Sequence, residues 1–266
     1  MRLCVVWLVL GVFARPTRGD DSPEVKSKSA VVLDASSGAE IFAKDADAVR
    51  PIASTTKIFV AMAVRHKGLD LDGWTEITHA DADHAKGGAR TRLDIGQRFK
   101  NRDLLRAMLI SSDNRAPTAL GRAVGLDENG LIAAMNDVAR RLHLTHTHLT
   151  DASGLHGNES TAREMAVALR EALADDVLRE ILGEEEREIR SRDGYAITYH
   201  TTNQPLVTGR YEVIGGKTGY TEAAGYCYVT AARLAHRAVV MAFLGAEGKL
   251  TRFADFYRVA AWLDRR

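Results

Sequence analysis

With 266 residues, 45% of them hydrophobic and 27% charged, the chain has the composition of a globular protein, with enough apolar surface for one large domain or two small ones. Its formal net charge of +1 speaks against nucleic acid or an anionic membrane as a partner.

The first residues read as a secretory leader. Met1-Arg2 is a short basic start, and Leu3 to Phe13 is an apolar run of 11 residues, too short to span a bilayer comfortably. Cleavage after Gly19 puts Thr17 at −3 and Gly19 at −1, both small, although the pattern is not the usual Ala-x-Ala; the alternative is an uncleaved anchor. Removing residues 1–19 takes Arg2, Arg15 and Arg18 and brings the net charge to −2. Cys4 leaves too, so Cys227 remains alone and stability must come from the core.

Residues 20–28 are polar and contain Pro and Ser, which reads as a flexible lead-in, and residues 29–266 follow as a single two-lobed domain. Ala30-Val31-Val32-Leu33 and Ala39-Glu40-Ile41-Phe42 flank Asp34 to Gly38 as a strand, turn and strand. Ser54 to Arg65 is helical in pattern behind Pro51, and after a loop at Gly87-Gly88 three more helices are predicted over Asn101–Ile110, Arg115–Val124 and Asp127–Leu142. Thr161-Ala162-Arg163-Glu164 is a capping-box sequence that starts a helix through Leu173. Strands return at Tyr195–Tyr199, Tyr211–Lys217, Tyr226–Arg233 and Ala238–Leu244, and Thr251–Leu263 closes the chain as an amphipathic helix. Strands at both ends can share one sheet if the last helix packs on it, with the middle helices forming a second lobe.

Three short motifs carry the chemistry. Ser54 and Lys57 lie at positions i and i+3 of a helix start, where a hydroxyl and its base share a face. A lysine acts as a base only when neutral, so burial, the helix dipole and a second cation must oppose its charge. About one Ser-x-x-Lys is expected by chance in a chain of this size, and the plain alternative is a helix cap beside a surface lysine. Ser112-Asp113-Asn114 falls on the loop after Met108-Leu109-Ile110, where Ser112 could relay a proton and the Asn114 amide could orient a substrate backbone; its plain alternative is a loop cap. Lys217-Thr218-Gly219 ends a predicted strand and offers a cation, a hydroxyl donor and room for close backbone approach to a carboxylate ligand.

All three occur once, in the order used by active-site serine penicillin-binding proteins and on the expected elements. Over roughly Ala30 to Leu263 the chain resembles the low-molecular-mass penicillin-binding proteins of the D-alanyl-D-alanine carboxypeptidase and endopeptidase group. Pro51 to Lys57 resembles the nucleophile segment, Asp151-Ala152-Ser153-Gly154-Leu155 the post-helix loop, Ser160-Thr161-Ala162 the following helix start, and Gly216 to Thr221 the substrate strand. The resemblance implies an α+β fold of the serine β-lactamase and transpeptidase type, with a five-stranded antiparallel sheet packed with helices and a mostly helical lobe. It also implies acylation of Ser54, proton transfer to Lys57, Ser112 and Asn114 on the opposite wall, and Lys217, Thr218 and Gly219 holding the substrate carboxylate. The oxyanion hole would come from the main-chain amides of Ser54 and Tyr220, and the field of Lys217 would favour a neutral Lys57. Peptidoglycan stem peptides are the implied partners and β-lactam antibiotics the implied covalent inhibitors, with no cofactor or metal and no membrane anchor once the leader is cut.

Two details point to the endopeptidase branch, which cleaves D-alanine–meso-diaminopimelate cross-links. Asn114 is followed by Arg115-Ala116 where carboxypeptidases usually have Asp-Ala, and the chain stops at Arg266, where typical carboxypeptidase relatives continue into a small β domain and an amphipathic membrane-binding helix. A carboxypeptidase removing the terminal D-alanine and a catalytically silent wall-binding protein stay as alternatives. A class A β-lactamase is disfavoured because no Glu-x-x-Leu-Asn segment lies between Asn114 and Lys217, and a Ser-His-Asp hydrolase because there is no Gly-x-Ser-x-Gly elbow. Export and cross-link chemistry together suggest a periplasm.

Other features read plainly. His143, His146 and His148 are surface rather than a zinc site, Cys227 is a small buried residue, and Glu184-Glu185-Glu186 is a solvated turn. Arg90 and Arg92 follow Gly87-Gly88 and are candidates to approach the cleft, while Arg265-Arg266 is an exposed end.

Overall fold

The computed structural model describes residues 22–88 and 91–266, so the leader, the first residues of the lead-in and Arg90 lie outside the described residues. In chain order the elements are β1 (Ser29–Asp34), β2 (Glu40–Lys44), β3 (Arg50–Pro51), a 3-10 turn (Ala53–Thr56), α1 (Lys57–His66), β4 (Trp74–Glu76), α2 (His79–His84) and β5 (Arg98–Lys100). Then come α3 (Asn101–Ile110), α4 (Ala116–Ala123), α5 (Glu128–Arg141), β6 (Glu159–Ser160), α6 (Ala162–Ala172), α7 (Asp176–Leu182), β7 (Glu186–Arg190) and β8 (Ala196–His200). The chain closes with α8 (Gln204–Thr208), β9 (Glu212–Thr221), β10 (Gly225–Leu234), β11 (Arg237–Ala246) and α9 (Thr251–Leu263).

β1, β2, β9, β10 and β11 form the five-stranded antiparallel sheet in the order β2-β1-β11-β10-β9, so the two chain ends meet in the middle and β9 is an edge. Because side chains alternate along a strand, the sheet serves two cores at once. Val31 and Leu33 of β1 and Val240, Ala242 and Leu244 of β11 face the helical side, whereas Ala30, Val32, Val239, Met241 and Phe243 face α9. α1 runs through the helical side with every residue from Lys57 to Val64 buried, which is why its hydrophobicity shows no polar stripe. Phe256, Val259, Ala260 and Leu263 of α9 cover the opposite face, as their helical spacing predicts.

Three expectations change in the structure. The lead-in is not loose within the described residues: the amides of Lys26 and Ser27 and the Ser27 hydroxyl donate to the Asp255 carboxylate of α9 at 2.8, 2.7 and 2.6 Å, with Asp255 fully buried. A buried carboxylate needs donors, and this segment supplies them. The capping box closes only halfway. Thr161 accepts from the Glu164 amide at 3.1 Å, but the Glu164 carboxylate turns to the amide and ring Nδ1 of His146, each at 2.9 Å, and to the Thr147 hydroxyl. Finally, Glu184 is buried, not solvated, because Arg106 and Arg187 both clasp its carboxylate.

Candidate active site

Ser54 sits in the 3-10 turn directly ahead of α1, one turn from Lys57 on the same side of a continuous helical stretch. It caps nothing; its hydroxyl oxygen lies 3.0 Å from Lys57 Nζ and 3.3 Å from the Ser153 carbonyl. The residue before it, Ala53, has φ of 49°, a left-handed conformation that costs a non-glycine residue about 1–3 kcal/mol. Two glycines let other segments reach this turn. A Cβ on Gly154 would stand 2.2 Å from the Ala53 carbonyl oxygen, and one on Gly219 would stand 2.9 Å from the Ser54 amide nitrogen.

Lys57 is fully buried, and its Nζ has three partners: the Ser54 hydroxyl, Asn114 Oδ1 at 2.7 Å and the Ser153 carbonyl at close range. Burial is the main force lowering its pKa, to about 7, against the opposing fields of Asp151 and Asp113. Two of the three partners can only accept. A neutral amine therefore spends its two N–H groups on Asn114 and Ser153, which leaves its lone pair for the Ser54 hydroxyl proton.

The second motif divides its labour differently from the sequence expectation. Asn114 binds Lys57 through its oxygen, so only its amide nitrogen is left to meet a ligand, and a Cβ on Gly88 would stand 2.0 Å from that nitrogen. Ser112 lines the cavity in a left-handed backbone (φ 64°), and its buried hydroxyl has no hydrogen-bond partner. No bond to Lys57 accompanies it. Asp113, given no role from sequence, braces the loop: it accepts from the Arg92 amide and the Tyr199 hydroxyl, both at 2.8 Å, and from the Arg115 amide at 3.0 Å.

Lys217, Thr218, Gly219 and Tyr220 lie on β9, the edge strand, which leaves a backbone edge open beside Ser54. Lys217 is buried and donates to the Thr218 carbonyl at 2.8 Å. Its pKa lies well below the ordinary value, first from burial and then from the charges of Lys57 and Arg252. The field of Lys217 expected to lower Lys57 is not among the causes that act there; the repulsion between the two lysines shows on Lys217. The Thr218 hydroxyl pairs with that of Thr202 at 2.6 Å. Tyr220 is 53% exposed and stacks on Tyr226 with ring centres 4.3 Å apart.

These walls enclose a cavity of about 960 Å³ lined by Ser54, Ser112, Asn114, Thr218, Gly219 and Tyr220 among others, with Lys57 and Lys217 buried behind the lining. Sequence reasoning missed Arg252, which lines the same cavity from the first turn of α9 and holds the Gly219 carbonyl at 2.7 Å and the Cys227 carbonyl at 3.1 Å. An arginine at a helix start carries no sequence signal for this. It also missed Asn158, which accepts from the Thr150 and Asp151 amides and donates to Thr56 Oγ1 and the Asp151 carbonyl, fixing the loop that brings the Ser153 carbonyl to Lys57. Arg92 does not reach the cleft: its guanidinium is held by the Thr198 carbonyl and lies over the Tyr199 ring. Cys227 is fully buried. Among the described residues no group of three or more metal-ligating side chains is present, and no helix is long and apolar enough to cross a membrane.

The chain is similar to known proteins over most of its length. The chain is 31% identical over 243 residues to a D-alanyl-D-alanine endopeptidase of Pseudomonas aeruginosa and 30% identical over 244 residues to one of Escherichia coli K12, covering 91% of this chain and 78% of each relative. A D-alanyl-D-alanine carboxypeptidase of Mycobacterium tuberculosis is 32% identical over 227 residues, which covers 84% of this chain and 76% of the relative. The fold is similar to that of the Streptomyces K15 DD-transpeptidase, with a TM-score of 0.86 at 25% identity over 92% of this chain and 99% of that one. It is also similar to a D-alanyl-D-alanine carboxypeptidase structure from M. tuberculosis H37Rv, with a TM-score of 0.80 at 29% identity over 90% of this chain and 91% of that one. Residues 17–248 match the family model described as D-alanyl-D-alanine carboxypeptidase, and the chain belongs to that family of serine peptidases, the low-molecular-mass penicillin-binding proteins.

Proposed function

We propose that the protein is an exported D-alanyl-D-alanine endopeptidase that opens D-alanine–meso-diaminopimelate cross-links through an acyl-enzyme on Ser54. The observation that carries the reading is the pairing of Ser54 with a buried Lys57 whose two other partners are acceptors only. In this reading Ser54 Oγ attacks the D-alanyl carbonyl and its proton passes to Lys57 Nζ. The negative oxygen of the tetrahedral intermediate is met by main-chain amides of Ser54 and Tyr220. When the C–N bond breaks, the leaving amine takes a proton relayed through Ser112, whose unpartnered hydroxyl supports that role. Water then repeats the sequence on the ester and frees Ser54. Penicillin would acylate the same serine.

Lys217 and Thr218 with Gly219 would hold the carboxylate next to the scissile amide, and the Asn114 amide nitrogen would meet the acyl-donor backbone. A free D-centre carboxylate flanks the bond in both a cross-link and a terminal D-alanine, so one pocket can read either. The endopeptidase names of two relatives favour the first, and Asn114-Arg115-Ala116 fits it. The carboxypeptidase relative keeps the second as the alternative. The periplasm is the proposed compartment.

The test offers purified protein a D-alanine/diaminopimelate cross-linked dimer and a pentapeptide monomer side by side, with products read by mass. Dimer converted to monomers while the pentapeptide stays whole is the expected result. Release of D-alanine alone would make it a carboxypeptidase, and a Ser54→Ala variant that still forms a stable penicillin adduct would remove Ser54 from the mechanism.

A further inference from the structure

The Thr202 hydroxyl lies 2.6 Å from that of Thr218, and both threonines line the cavity. Thr202 belongs to a segment tied down on several sides. Its amide donates to the Ile110 carbonyl at the end of α3, the Thr201 amide donates to the Glu185 carbonyl, and the neighbouring Asn203 accepts from the Tyr228 hydroxyl of β10 at 2.6 Å. Through Thr202 the helical wall that bears Ser112 is thus joined to the strand that bears Thr218.

Two facing hydroxyls own two protons. One is consumed in the bond between them, so only one is free to meet a ligand, and the direction of the shared bond decides which threonine presents it. If Thr202 donates, the Thr218 proton faces the cavity, and a hydroxyl that already accepts a bond is the stronger donor. We infer that Thr202 is a positioning residue for the substrate carboxylate: it donates to Thr218 Oγ1 and so aims the Thr218 hydroxyl proton at the carboxylate beside the scissile amide. This rests on the proposed D,D-peptidase reading, in which that carboxylate is bound by Lys217 and Thr218.

The experiment measures kcat/KM on two D-alanine/diaminopimelate cross-linked dimers that differ only beside the scissile amide, one with the free D-centre carboxylate and one with its primary amide, for wild type, Thr202→Val and Thr202→Ser. The ratio of the two values is independent of the fraction of protein that is active, so a partly misfolded variant still reports. Thr202→Val keeps the branched shape and the main-chain bond to Ile110, and it is expected to lower the carboxylate-to-amide ratio about tenfold, the effect of one weakened bond to a charged group. Thr202→Ser restores the hydroxyl and is expected to restore the wild-type ratio. A Thr202→Val ratio equal to wild type would overturn the inference, as would a Thr202→Ser ratio as low as that of Thr202→Val. A wild-type enzyme indifferent to the carboxylate would instead bring down the parent reading, so the two failures are distinguishable.

Discussion

With Lys57 as the base for Ser54, as proposed, the rate of acylation should follow the protonation state of Lys57. An ordinary lysine titrates near 10.5; burial without a carboxylate partner brings Lys57 down to about 7, with Asp151 and Asp113 limiting the fall. The proton-accepting form is then about a tenth of the protein at pH 6 and about nine-tenths at pH 8. Acylation by a fluorescent penicillin, followed as a second-order rate constant over pH 5 to 10, is therefore expected to rise about tenfold between those two values and level off above pH 8. An unshifted lysine would instead give about a hundredfold rise over the same interval and a further climb toward pH 10. Neutralising Asp151 removes a field that favours the ammonium, so Asp151→Asn should move the midpoint to lower pH. A profile still climbing steeply above pH 9 would refute the assignment of a buried neutral Lys57 as the base, and a midpoint raised by Asp151→Asn would refute its electrostatic account. The same shift carries a stability consequence. The unfolded chain binds the Lys57 proton more tightly than the folded one, so in the window from about 7 to 10.5 folding stability gains as pH rises, and below about 7 the full penalty is present.

Lys217 is pushed below its ordinary pKa by burial and by the charges of Lys57 and Arg252, so a carboxylate ligand that restores its charge should draw in a proton on binding. Isothermal titration of a non-hydrolysed D-alanine-ended peptide in pairs of buffers of different ionisation enthalpy, repeated from about pH 7 to 10, should reveal net proton uptake within that range, and equal heats at every pH would contradict it. Asn158→Ala strands two amides, a carbonyl and the Thr56 hydroxyl in a site that is 4% exposed. The expected cost is about 2–3 kcal/mol, read by calorimetry as a Tm lowered by several degrees, with acylation slowed because the Ser153 carbonyl loses its support.

Much of the fold was open to reading because periodicity carried it. Asn101–Ile110 and Thr251–Leu263 coincide with α3 and α9, and the expected strands lie within two residues of those observed except at the end of β9, while β3, β6 and β7 were not expected. β9 runs on through Gly219 to Thr221 because pairing with β10 holds a backbone that glycine and threonine alone do not predict. α2, α7 and the β4–β5 pair had no such signal. They are short, and their order comes from contacts such as Thr118 and Arg122 on the buried Asp81 carboxylate. At the site, the gathering of Ser54, Lys57, Asn114, Lys217 and Thr218 around one cavity was legible because short motifs with fixed spacing carry these residue types. Arg252 and Thr202 were not, since each reaches the cleft from an element distant in sequence and acts through one atom. The Ser153 carbonyl was invisible in principle, because any residue could supply it.

The placement of β1 between β2 and β11 also governs how the protein can be made. Ser29 pairs with Leu244 and Asp34 with Val239, so the central ladder of the sheet closes a loop of roughly 200 residues, a kind of contact that forms slowly because its chain-entropy cost comes before its reward. Until β11 arrives, β1 has only the short β2 beside it, and until α9 follows, the apolar face of Ala30 and Val32 has no cover. The earliest residues of the domain must therefore wait for nearly the last. A chain stalled or clipped before about residue 240 would be expected to lose its central β-sheet as well as its closing helix, leaving the helices around Ser54 and Lys57 without the wall that completes the cleft.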